Sequence, residues 1–67
     1  MITLELNYQQ TRKFWEESCD AVEWDMMALD IYLKDKYTIV KRQWTNSKCL
    51  KLTFVDEQYK TWLILYL

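Results

Sequence analysis

The chain contains no glycine, no proline and no histidine. Without glycine it has no phosphate-cradling loop of the P-loop or dinucleotide type, because those turns need positive φ and close backbone approach. Without histidine it lacks the commonest metal ligand and the usual general base near neutral pH. Cysteine is scarce: Cys19 and Cys49 stand alone, with no CxxC spacing and no secretory apolar segment at the start. Two reduced, half-buried thiols are therefore expected rather than a disulfide. Two thiols without histidine do not complete a structural zinc site. No run approaches the ~20 apolar residues that span a bilayer. The expectation is a cytoplasmic, non-enzymatic protein with no cofactor, no metal and no membrane partner.

Aromatic residues, by contrast, are abundant, with four Trp, five Tyr and two Phe among 67 residues. A chain this size buries only about 60% of its unfolded surface and gains only ~3–5 kcal/mol from its core, so some rings should serve a contact surface. The net charge of −1 is unevenly spread. Through Asp35, eight carboxylates face Arg12, Lys13 and Lys34; from Lys36 onward, six cations face Asp56 and Glu57. Such a charge dipole steers a partner to one side or favours contacts between copies. With no linker, repeat or low-complexity tract, a single domain over residues 1–67 and a whole small gene product are expected.

Met1–Leu6 alternates, with Ile2, Leu4 and Leu6 on one side, and reads as a strand. Asn7 followed by Gln10 has the spacing of a capping box, which starts a helix near Tyr8. Tyr8, Trp15, Cys19, Val22, Met26, Leu29 and Leu33 then share a narrow helical stripe, predicting one helix to about Lys34–Lys36. Lacking a C-cap glycine, that helix is expected to stop at Asp35 or Lys36 in a strained turn. Tyr37–Thr45, Cys49–Val55 and Tyr59–Leu67 read as strands, turning at Asn46-Ser47 and at Asp56-Glu57-Gln58. The predicted fold is α+β in the order β-α-β-β-β, a single long helix packed on a small antiparallel-rich sheet. Leu50, Leu52, Phe54, Leu63 and Leu65 then face the helix. The register of Tyr37–Thr45 stays open: a two- or three-residue hairpin at Asn46-Ser47 decides whether Val40 and Trp44 or Ile39 face inward.

The ending Phe54-Val55-Asp56-Glu57-Gln58-Tyr59-Lys60-Thr61-Trp62-Leu63-Ile64-Leu65 resembles the terminal hairpin of small uncharacterised accessory proteins of T4-like tailed bacteriophages. That resemblance covers about a fifth of the chain. It implies a phage origin and action in the host bacterial cytoplasm, by binding host machinery, and transfers no functional residue.

Three surfaces are candidates for function. Trp24, Met27, Ala28 and Ile31 form a second apolar stripe on the back of the expected helix, and such a stripe left in water marks an interface. Trp62, Ile64 and Tyr66, with Lys51, would lie on the outer sheet face; aromatics beside cations on an open sheet are how single-stranded nucleic acid is stacked, and sheet-to-sheet packing in a dimer is the favoured other use. Glu16, Asp20, Glu23 and Asp30 would line one flank of the helix, as a solvated face or as a phosphate-like row for a partner. Neither cysteine qualifies as a nucleophile: Cys19 lies on the core stripe, and Cys49 has Lys48 and Lys51 nearby but no histidine to activate it. Protein–protein binding, as a homodimer or to a host protein that it inhibits, is the leading expectation. A small single-stranded nucleic-acid-binding module is the alternative.

Overall fold

Asn7 caps a helix as its spacing requires. Its side chain accepts from the Gln10 N–H at 2.8 Å, and the Gln10 side chain accepts from the Asn7 N–H at 3.1 Å. The computed structural model describes all residues 1–67. Six elements follow one another: β1 (Ile2–Glu5), α1 (Tyr8–Ala21), α2 (Met26–Tyr37), β2 (Ile39–Trp44), β3 (Leu50–Phe54) and α3 (Glu57–Tyr66). The strands form one antiparallel sheet in the order β1-β3-β2. The fold is α+β, but neither the single long helix nor the β-α-β-β-β order is present.

The expected long helix breaks between Ala21 and Met26. Glu23 and Trp24 take positive φ, 55° and 61°, a left-handed pair that ends α1 without glycine. The Trp24 N–H donates to the Cys19 carbonyl at 2.8 Å, and its indole N–H donates to Asp20 Oδ1 at 2.9 Å. Asp25 then restarts the chain as an N-cap, accepting from the Met27 and Ala28 N–H groups. α2 ends at Thr38, two to three residues later than expected, again with positive φ (56°). Left-handed backbone costs an L-residue about 1–2 kcal/mol. Contacts with the β3–α3 junction hold Thr38 in place: its carbonyl accepts from the Val55 N–H at 2.9 Å and its hydroxyl from the Asp56 N–H at 3.3 Å.

The expected closing strand is a helix. Asp56 is an N-cap, accepting from the Gln58 N–H at 2.9 Å, and Glu57 sits in the first turn where the helix dipole favours a carboxylate. The segment Phe54–Leu65 therefore does not form a terminal hairpin. Read with a period of 3.6, Tyr59, Leu63 and Leu67 fall on one face, and all three pack into the core. Leu65 is consequently 79% exposed, where the strand reading placed it inside.

Leu50, Leu52 and Phe54 of the central strand are fully buried against Phe14, Cys19, Leu29 and Leu33. The Leu50 N–H donates to the buried Thr11 hydroxyl at 3.1 Å, fastening β3 to α1. The β2–β3 hairpin uses three loop residues, closed by Lys48 at φ 60°. A bulge between Ile39 and Lys41 resolves the open register: Ile39 pairs with Phe54, while Arg42 and Trp44 pair with Leu52 and Leu50. Ile39 and Trp44 thus lie on the same helix-covered side, and Val40 is the extra residue. No helix is long and apolar enough to cross a membrane.

Candidate protein-interaction surface

α3 packs beside α1 and α2 so that a groove of about 450 Å³ opens between the three helices. Phe14, buried, forms its floor and meets Tyr37 at a ring separation of 5.7 Å. Trp62 and Tyr66, one helical turn apart on α3, form one wall; Tyr32 and Lys36 of α2 form the other. The Lys36 ammonium donates to the Tyr32 hydroxyl at 3.0 Å and stands 5.4 Å from both the Tyr32 and Tyr37 ring centroids. Across the groove the Tyr66 hydroxyl donates to Glu17 Oε2 at 2.8 Å, while the Lys13 ammonium lies 4.6 Å over the Tyr66 ring.

These contacts shift the titrating groups upward. Burial raises the Tyr37 phenol, and the hydrogen bond to Glu17 raises that of Tyr66. The Tyr32 hydroxyl raises the Lys36 ammonium. All three groups hold their protons at neutral pH, so the groove offers neutral rings with one fixed cation and one fixed anion. That combination suits recognition of a mixed apolar and charged surface. Outside the groove, burial raises the Cys19 thiol, and a raised thiol is inert. No three His, Cys, Asp or Glu side chains converge as a metal-ligand set.

Beyond the groove, α3 turns Trp62, Ile64, Leu65 and Tyr66 to solvent. At about 200 Å² per large side chain, their combined exposure is on the order of 450 Å², spread around the last turns of α3. Trp62, Ile64 and Tyr66 therefore belong to α3, with Ile64 nearly opposite the other two, and not to an outer sheet face. Lys51 lies elsewhere, on the open side of β3, paired across the ladder with Glu5 and Gln43. That open side carries Thr3, Thr53 and Lys41 but no aromatic ring, so the stacking platform read from the sequence has no counterpart on the sheet.

The other predicted residues are dispersed by the helix break. Trp24 lies in the α1–α2 turn rather than on a helix; Met27 and Ile31 are exposed on α2, and Ala28 is half-buried. Glu16 and Asp20 are on α1, Glu23 is in the turn and Asp30 is on α2, so they form no continuous row. Three of the four are already engaged: Glu16 with Arg12 at 3.5 Å, Asp20 with the Trp24 indole, and Asp30 with Arg42 at 2.8 Å. Phe14, Glu17, Tyr32, Lys36 and Tyr37 were not singled out from the sequence. The available signal was a second stripe, Thr11, Phe14 and Ser18, running beside Trp15 and Cys19; all three are buried.

Comparison with protein families, with curated proteins and with solved structures returned no match.

Proposed function

We propose that the protein is a non-enzymatic interaction module that associates with a second copy of itself through the outer face of α3 and the mouth of the aromatic groove. One observation carries this reading: 13 large apolar side chains are exposed, against 11 hydrophobic residues in the buried core. The total accessible surface, 4672 Å², is ordinary, since a folded monomer of this mass has about 4,600 Å². The composition of the surface is what departs from a self-sufficient monomer.

A second copy fits for two reasons. A standard interface covers about 800 Å² per partner, roughly a sixth of this surface, and Trp62, Leu65 and Tyr66, adjacent on α3, supply nearly half of that at about 200 Å² per large side chain. A two-fold interface also needs a self-complementary patch, and Lys13 and Glu17, one turn apart on α1 and both at Tyr66, bring opposite charges to its edge. Sedimentation equilibrium tests the proposal. The expected species at micromolar concentration has twice the 8.3 kDa chain mass. A monomer persisting to high micromolar overturns self-association and turns the α3 face over to a foreign protein.

A further inference from the structure

We infer that the cleft between α2 and β2 is a second, independent binding site, and that it takes an extended acidic peptide as an added strand beside β2. β2 is an edge strand, hydrogen-bonded to β3 on one side only. α2 runs alongside it, leaving a cleft of about 590 Å³. Ile31 of α2 and Val40 of β2 are exposed apolar walls of this cleft, and Lys34, Lys41 and Arg42 line it with a single carboxylate, Asp30. Asp30 is taken by Arg42 at 2.8 Å, and neither Lys34 nor Lys41 forms an ion pair. Two uncompensated ammonium groups therefore border an apolar cleft at an open sheet edge.

Cations on an edge strand repel indiscriminate strand pairing. An acidic strand is the one neighbour for which that repulsion becomes attraction. Main-chain hydrogen bonds give such a complex its affinity, and alternate side chains give it specificity. Past the bulge at Val40 the alternation is regular: Arg42 lies on the helix side of β2 and Lys41 on the open side. An added strand would turn its apolar residues toward Ile31 and its carboxylates toward Lys41. The walls are aliphatic, so nothing in the cleft stacks a base, and a peptide is favoured over single-stranded nucleic acid.

The test is a fluorescence-anisotropy titration with a labelled, end-blocked peptide of alternating valine and aspartate, about as long as β2. A valine–lysine peptide and a thymidine oligonucleotide serve as comparison probes. The acidic peptide should bind saturably, weaken as salt rises, and shift the amide resonances of Ile31 and Val40. The double substitution Lys34→Glu, Lys41→Glu, at exposed positions that leave the core intact, should weaken it by roughly tenfold or more and improve binding of the valine–lysine peptide. Four results would overturn the inference: no binding up to millimolar peptide, equal affinity for both peptides, an unchanged affinity in the double variant, or tighter binding of the oligonucleotide.

Discussion

Leu63 and Leu65 are two residues apart, and their contrast tests both the fold of the last segment and the role of α3. On a strand they would share a face and respond alike. On α3 they diverge by about 200°, and Leu63 is 2% exposed while Leu65 is 79% exposed. Leu63→Ala opens a cavity in the buried core cluster, for which about 2–5 kcal/mol is typical. A core of this size yields about 3–5 kcal/mol in total, so the variant should be largely unfolded at concentrations where the chain is monomeric. Leu65→Ala should change monomer stability by less than about 0.5 kcal/mol, the usual range for a surface position. In a symmetric dimer it removes three buried carbon groups from each copy, about 2 kcal/mol each, or roughly a thousandfold in the dimer dissociation constant. Urea denaturation at low concentration reads the first effect, and sedimentation equilibrium reads the second. Equal destabilisation by the two variants would refute the helix. A folded Leu65→Ala protein with undiminished dimerisation would refute the α3 interface.

Three further outcomes follow from the same structure. Glu23→Gly should raise the melting temperature by a few degrees, because relief of about 1–2 kcal/mol of left-handed strain exceeds the added entropy of an unfolded glycine; a lower melting temperature would contradict the turn. Asp56→Ala should cost about 0.5–2 kcal/mol in urea denaturation through loss of the α3 N-cap, and Asp56→Asn should restore most of it. Stability should fall as the pH rises past about 10: the folded state raises the Tyr37 phenol and the Lys36 ammonium, so the unfolded chain releases its protons first and is favoured there. Thermal melts across the alkaline range should show this loss, and Tyr37→Phe should flatten it.

The parts of the fold legible in the sequence are those where local chemistry and burial agree. Ile2, Leu4 and Leu6 alternate and face the core, Asn7 and Gln10 form the capping box, and Leu50, Leu52 and Phe54 point inward. The helix break was hidden because the stripe keeps its spacing across it. Cys19, Val22, Met26, Leu29 and Leu33 remain in phase, and all but Met26 pack in or against the core, although residues 22–25 are not helical. A glycine would have marked the turn. Here Glu23 and Trp24 carry the left-handed backbone, and Asp25, the cap that restarts the helix, resembles an ordinary acidic position.

The misreading of α3 has a different origin, and it bears on function. An apolar run such as Trp62–Leu67 fits a buried strand or a helix equally well by periodicity, and only the Asp56 cap distinguishes them. A strand would have divided that run between two faces of a sheet. A helix apolar on nearly all sides instead offers only Tyr59, Leu63 and Leu67 to the core and must leave Trp62, Ile64, Leu65 and Tyr66 outside. Helical turns composed like Trp62–Leu67 are characteristic of places buried all round. One small sheet and two short helices cannot supply that, because they already cover a single side of it. In the dimer we propose, the second copy supplies that cover, and the sequence feature that hid the helix is the one on which the proposal rests.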